Sequence, residues 1–316
     1  MGTSIVTGAA GFIGSHLVEA LLHRGDRVIG IDHFNDYYNP ALKHKNIDTA
    51  ERHPNFHLIE ADIESLNWAM LLEDADVVFH QAAQAGVRAS WGSGFRLYTE
   101  RNINATQVML EAAKTAPNLK RIVIASSSSV YGNAETLPTV ETLCPQPVSP
   151  YGITKLAAEH LCRVYYQNFG VPTAILRYFT VYGPRQRSDM AFHLFFKAVL
   201  DDRPIRIYGD GSQTRDYTFV SDAIAANLAA AEVPEAAGEV FNIGGGSRVA
   251  LTEVIDTMEA IVGRPIRREY VEKAVGDARH TGADVTKATN ILGYQPQVSL
   301  TEGLTREWEW IQALYC

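Results

Sequence analysis

"TGAAGFIGSHL", residues 7–17, follows the apolar run at 4–6 and opens a stretch of helical periodicity. It puts Gly8, Gly11 and Gly14 at a strand-to-helix turn. Glycine allows the tight turn and a close approach of backbone to a ligand. The helix N-terminus adds unpaired N–H groups and a partial positive charge. Together these suit the pyrophosphate of a dinucleotide. Asp32 ends the next β-like run, "RVIGID", 18 residues beyond Gly14. A carboxylate there accepts both ribose hydroxyls and repels a 2′-phosphate, so the expected cofactor is NAD. His33 beside it leaves the exclusion of NADP open.

Outward from this turn the chain alternates. Apolar β-rich runs recur at "SIVTG", "RVIGID", "FHLIEAD", "DVVFHQAA" and "RIVIASS". Helical patterns separate them at 11–25, near 40–50 and at 102–116. Continuous Val/Ile runs fit strands buried on both faces, and strands alternating with helices fit βαβ units in a parallel sheet. A helix is expected over 149–170, with Pro near its start and Gly at its end, followed by a strand at "PTAILRYF". Beyond about residue 180 short strands and helices mix, with turn signals at "YGDGSQ" and "NIGGGS". The expected fold class is α/β: a Rossmann doubly wound parallel sheet with a small C-terminal α+β substrate lobe. Residues 1–180 form the dinucleotide-binding domain, to which a strand and helix from about 215–260 are able to return. Residues 181–316 mainly form the lobe.

The chain has 316 residues, 46% of them hydrophobic, enough for a large core. No apolar run approaches the roughly 20 residues of a membrane span, so no membrane partner is expected. The net charge of −8 argues against a nucleic-acid partner. It also requires any anion site to gather its arginines locally. Cys144, Cys162 and Cys316 form no CxxC pair. With a start already reading as strand and turn, they point to a reduced, cytoplasmic protein without a secretory signal. Ten histidines scatter along the chain, and no metal is expected. Trp308 and Trp310 read as packing, and Cys162 as a core residue of its helix.

"SSSSVYG" at 126–132 and "YGITK" at 151–155 carry the chemistry. Tyr151 and Lys155 stand i, i+4 on one helical face. A free tyrosine has a pKa of about 10 and is a poor base at neutral pH. A nearby ammonium and an oxidised nicotinamide both favour the phenolate. Lowering it by about three units takes roughly 4 kcal/mol of differential stabilisation. Tyr151 then becomes a proton acceptor for a sugar hydroxyl. A serine at the neighbouring strand end is placed to bind that same hydroxyl.

"TGAAGFIGSHL", "SSSSVYG", "YGITK" and "RYFTVYGP" together resemble the extended short-chain dehydrogenase/reductase family of NAD-dependent nucleotide-sugar epimerases and dehydratases, over essentially the whole chain. The resemblance implies catalytic roles for Ser127, Tyr151 and Lys155. It implies NAD contacts from Gly8, Gly11, Phe12, Ile13, Gly14, Asp32, Asn35, Asp62, Ile63, Ala82, Ala83, Tyr151, Lys155 and Tyr178. It also implies a homodimer packed through helices that include the one bearing Tyr151. Dehydratases of the family carry acids where this chain has Ser128 and Ser129, and decarboxylases carry a Glu at the position of Ser129. Hydroxyls orient a sugar but are poor acids and bases. The implied reaction is therefore oxidation and re-reduction at C4 without elimination.

"FNDYYNPALK" (34–43), "AAQAGVRASW" (82–91) and "TVYGPRQRSDMAFHLF" (180–195) resemble the subgroup acting on UDP-glucuronate. A sugar carboxylate needs a partner. Arg187 is the first candidate and Arg88 the second, with Ser128, Ser129 and Thr180 completing the hydrogen bonds. UDP-glucose 4-epimerases commonly carry Asn at the position of Thr180. A 4-keto uronic acid is a β-keto acid, so a clamped carboxylate also protects against loss of CO₂. For the diphosphate and uridine, the resemblance points to Arg215 and Arg279, and to Gln213 and Asp277. Val275 stands where the family shows Pro, and "SWGSGF" is glycine-richer than usual. The rival readings are a 4-epimerase of a neutral or N-acetylated UDP-sugar and a non-catalytic NAD-binding protein.

Overall fold

The structure is a computed structural model and describes residues 2–273 and 275–316. In the first half strands and helices alternate. β1 (Thr3–Thr7), β2 (Arg27–Asp32) and β3 (Phe56–Glu60) are joined by α1 (Phe12–His23) and α2 (Pro40–Glu51). The short α3 (Trp68–Leu72) leads to β4 (Val77–His80). α4 (Phe95–Tyr98), a π-helical turn at Thr99–Asn104 and α5 (Ala105–Ala113) lead to β5 (Arg121–Ser127). α6 (Pro150–Phe169) then precedes β6 (Thr173–Tyr178). The helix expected over 102–116 is thus part of a longer helical run, interrupted by the π turn.

The second half contains β7 (Val181–Tyr182), α7 (Ala191–Leu200), β8 (Ile205–Tyr208), β9 (Thr214–Asp216) and β10 (Thr218–Phe219). It continues through α8 (Val220–Glu232), β11 (Val240–Ile243), β12 (Arg248–Ala250) and α9 (Leu251–Val262). β13 (Arg268–Val271), α10 (Thr286–Leu292) and α11 (Leu300–Tyr315) complete it.

One parallel sheet runs in the order β11-β6-β5-β4-β1-β2-β3. The chain leaves β1 toward β2 and later crosses back to β4, so the order reverses between β1 and β4. Ligands of such sheets bind outside the carboxyl ends of the strands at this switch point. β5 and β6 are buried almost throughout because both faces are covered by helices. Ile5, Val78, Ile122 and Ile124 face Trp68, Met109, Leu110 and Cys162. Their sequence neighbours Val6, Phe79 and Val123 face Leu17, Leu21, Ile224 and Phe241 on the other side. Trp308 stacks at a tilt on Phe196, and Trp310 meets His193 edge-on. Short ladders β7–β10, β9–β12 and β8–β13 build the rest of the second half above the strand ends.

Local chemistry sets the boundaries of α6. The Ser149 hydroxyl accepts from the Gly152 N–H at 3.1 Å, Pro150 occupies the first turn, and Gly170 ends the helix at φ 70°. Among the described residues no helix is long and apolar enough to cross a membrane.

Candidate active site

Two clefts open at the carboxyl edge of the sheet and share Tyr151, Tyr178 and Arg187 in their walls. The first lies over the β1–α1 turn. Gly8 has φ +68°, and a Cβ there would lie 2.9 Å from the Ala82 nitrogen. A Cβ on Gly14 would lie 2.0 Å from the Gly8 carbonyl oxygen. α1 starts at Gly11 with no side-chain cap, leaving its first N–H groups to a ligand. Asp32 is buried at the far end, and its carboxylate accepts from the backbone N–H groups of Ala10 (3.1 Å) and Phe34 (2.9 Å). Phe12, Ile13, Asn35, Asp62, Ile63, Ala82, Ala83 and Lys155 line the same cleft. The glycine cradle, the uncapped helix and the ribose-side carboxylate fit a dinucleotide. Every residue expected at the cofactor lies in this wall.

Sequence reasoning missed several groups here. Buried Lys43 on α2 donates to Asn35 Oδ1 at 2.8 Å and stands 3.9 Å from Asp32. Burial lowers its pKa, and the Asp32 carboxylate opposes that. Arg101 lies in the π turn and donates to Gln84 Oε1 at 2.7 Å on the cleft wall. Lys43 sits inside the quoted stretch 34–43 and was legible as a cation, but only the fold aims it at Asp32.

At the junction of the clefts, Tyr151 lies in the first turn of α6, where the helix dipole favours an anion. Burial pushes its phenol above the ordinary value, while the Ser127 hydroxyl and the Arg187 guanidinium pull it down. Lys155 Nζ donates to the Ala125 carbonyl at 2.8 Å. Burial lowers Lys155 to about 8 against the pull of Glu159. Two cations thus border the phenol: Lys155 one turn along α6 and Arg187 in the shared wall of the clefts. Ser127 Oγ donates to Ser129 Oγ at 3.1 Å and accepts from the Ser129 N–H at 3.1 Å, which turns the strand end into the cleft.

The second cleft is lined by Ser127, Ser128, Ser129, Thr180, Arg187, Arg215 and Asp277. Arg187 is already engaged. Its Nε and Nη2 grip the two oxygens of Asp189 at 2.9 and 3.0 Å, and Tyr37 OH reaches Asp189 at 3.4 Å. Arg215 donates to the Thr214 and Arg279 carbonyls, and burial lowers its pKa. Three expected substrate residues stand outside the wall. Arg88 stacks on the Tyr208 ring at 3.9 Å and pairs with Asp277 at 2.9 Å. Gln213 donates to the Tyr208 carbonyl. Arg279 is turned toward Ser212 (3.4 Å) and Asp210 (4.0 Å). Among the described residues of this wall the single carboxylate is Asp277. Among the described residues no group of three or more His, Cys, Asp or Glu side chains is placed to hold a metal; of the i, i+4 pair His53 and His57, the first precedes the turn and the second lies in β3.

A family model described as the NAD dependent epimerase/dehydratase family matches residues 4–244. The chain is similar to a crystal structure of UDP-glucuronic acid 4-epimerase from Bacillus cereus in complex with UDP-glucuronic acid and NAD. The TM-score is 0.96 and the identity 47%, covering 99% of this chain and 100% of that one. A Bacillus subtilis protein named as an uncharacterised UDP-glucose epimerase is 45% identical over 98% of each chain. The UDP-glucuronate 4-epimerase of Thermodesulfobacterium geofontis is 36% identical, covering 98% of this chain and 96% of that one.

Proposed function

The chain belongs to the NAD dependent epimerase/dehydratase family, and from that premise we propose that it converts UDP-glucuronate to UDP-galacturonate by epimerisation at C4, without decarboxylation. The observation that carries this reading is the wall of the second cleft. It presents serine and threonine hydroxyls and two arginines, and its one carboxylate is neutralised by Arg88.

Tyr151 takes the proton of the 4-hydroxyl, and Ser127 orients that oxygen. Lys155, one turn along α6 from Tyr151, adds positive charge that favours the phenolate. The glycine turn and Asp32 would hold NAD, which would supply the hydride acceptor for C4 and the donor for its return. The 4-keto sugar turns over in the site between the two transfers. Arg187, Ser128, Ser129 and Thr180 hold the sugar carboxylate away from the geometry that releases CO₂. Arg187 Nη1 has no hydrogen bond to a described residue, so the guanidinium retains donors after gripping Asp189. Arg215 binds the diphosphate from inside the cleft. Arg279, Arg88, Gln213 and Asp277 close over the nucleotide from the rim.

The cofactor unit is residues 1–180, with β11 added to its sheet and α8 packed on the sheet face. The remainder of 181–316 mainly binds the nucleotide-sugar. Exposed Ile153 and Val164 on α6, with Phe95 on α4, supply apolar surface for a homodimer. The three free cysteines suit a reducing cytoplasm.

A second reading, a 4-epimerase of a neutral UDP-sugar, draws on the Arg187–Asp189 pair, which a neutral sugar would leave intact. An NMR time course with UDP-glucuronate and UDP-glucose in parallel separates the two. The main reading expects UDP-galacturonate with no CO₂ or pentose. It also expects Arg187→Ala to lose roughly 10–100-fold in kcat/KM on UDP-glucuronate, as for a charge-assisted bond of about 1.5–3 kcal/mol. Conversion of UDP-glucose alone, or an unaffected Arg187→Ala variant, contradicts it.

A further inference from the structure

Behind the catalytic residues lies a buried polar network that neither cleft's wall includes apart from Ser126. Glu159 follows Tyr151 and Lys155 on α6 at a further interval of four residues. Its Oε1 accepts from Ser126 Oγ at 2.5 Å and from Arg177 Nε at 2.9 Å. Its Oε2 accepts from Arg177 Nη2 at 2.6 Å. Arg177 Nη1 in turn donates to Tyr131 OH at 2.6 Å, and Tyr131 OH donates to Asn242 Oδ1 at 2.8 Å. Glu159, Arg177 and Ser126 are each 4–5% exposed.

We propose that Glu159 is a positioning residue for the C4 reaction, fixing the end of β5 that holds Lys155 and presents Ser127. The proposal rests on the Tyr151–Lys155 reading of the site. Three consecutive residues of β5 are involved. Ala125 offers its carbonyl to Lys155 Nζ, Ser126 is tied to Glu159, and Ser127 is the hydroxyl beside Tyr151. One carboxylate thus sets the strand segment that holds both the lysine and the serine. Apolar side chains of similar volume often replace a buried ion pair without loss of stability. The pair at Glu159 is therefore explained better by what it positions than by the fold it supports.

Charge points the same way. Lys155 is buried, and Glu159 is the carboxylate that opposes the loss of its proton. Of the other groups around it, His80 and Cys162 are neutral, and Arg177 is a cation paired with Glu159. Burial with the nearby Lys155 holds His80 on β4 down at about 3, and burial pushes the Cys162 thiol on α6 up. Arg177 on β6 is neutralised by Glu159 itself. The Tyr131 phenol on the far side of Arg177 is raised by burial.

The test uses NAD-loaded wild type, Glu159→Gln and Glu159→Asp, with kcat and KM measured against pH on UDP-glucuronate. Tyr151 is also titrated by phenolate absorbance, with Tyr151→Phe as blank. In Glu159→Gln the alkaline limb of kcat is expected to move down by about one pH unit and the Tyr151 midpoint to move up by about one. KM should change little, and Glu159→Asp should restore both midpoints. If Glu159→Gln does not fold, Arg177→Gln leaves Glu159 without its guanidinium partner and is expected to move both midpoints in the opposite directions. An equal loss of kcat at every pH with an unmoved Tyr151 midpoint overturns the proposal. A wild type inactive on UDP-glucuronate overturns the substrate reading instead, and the phenolate titration still decides the role of Glu159.

Discussion

In the cofactor cleft the groups that face the ligand are largely backbone: the glycine turn and the open N–H groups of α1. In the substrate cleft they are side chains with partners of their own. Arg187 holds Asp189, Arg215 donates to the Thr214 and Arg279 carbonyls, and Asp277 is held by Arg88 from the rim. Backbone cannot be redirected without refolding, so the first cleft stands ready for its ligand. The second must fit the ligand's charges among side chains that already have internal partners. The cofactor half is thus fixed by local sequence, and the substrate half by which partner each arginine prefers.

The largest effect expected is at the point where the clefts meet. Tyr151→Phe removes the proton acceptor and should lower kcat by about 10²–10⁴, the usual contribution of general base catalysis. NAD binding should persist, so cofactor content after gel filtration checks that the loss is chemical. A variant retaining most of its turnover would mean that the two halves do not share Tyr151.

Next comes a direct attack on the backbone half. Gly14→Ala places a Cβ 2.0 Å from the Gly8 carbonyl oxygen. Relief by moving the turn costs about 1–3 kcal/mol, so NAD affinity should fall roughly 10–100-fold by calorimetry. Unchanged affinity would show that the turn is softer than the comparison holds.

Electrostatics sharpens the contrast by a smaller step. Without cofactor, burial keeps the Tyr151 phenol above its ordinary value, so it is protonated at neutral pH. A cationic nicotinamide favours the phenolate, so loading NAD⁺ should move the midpoint down by about one unit or more. Loading NADH should move it less. Phenolate absorbance across pH checks both. A midpoint indifferent to the cofactor's charge would separate the clefts electrically.

The smallest effect is expected at the rim. The Arg279 side chain is 60% exposed and 4.0 Å from Asp210. Arg279→Ala should raise KM by about fivefold or less, in line with about 0.2–1 kcal/mol for exposed pairs. A loss as large as that of Arg215→Ala would put Arg279 inside the substrate half.

The same contrast explains what could be read from sequence. Gly8, Gly11, Gly14 and Asp32 announce themselves because their spacing encodes a local turn and strand end. Ser149, Pro150 and Gly170 likewise mark α6 by capping chemistry. The sheet was legible from the alternation of Val/Ile runs with helical patterns. Lys43 near Asp32, Asp189 under Arg187 and Glu159 against Arg177 were not legible, because each partnership joins separate elements or a loop that only the fold shapes. The π turn at Thr99–Asn104 carries no glycine or proline to betray it. Arg88, Gln213 and Arg279 were placed by resemblance alone, and the structure sets them at the rim.

The central claim is that one hydrogen leaves C4, stays in the site and returns to the other face without elimination or loss of CO₂. The most direct measurement is a turnover of UDP-glucuronate carrying deuterium at C4, followed by mass and NMR analysis of the product in ordinary water. The account predicts UDP-galacturonate with the deuterium kept at C4. Deuterium washed into solvent, or a pentose product with released CO₂, would contradict it.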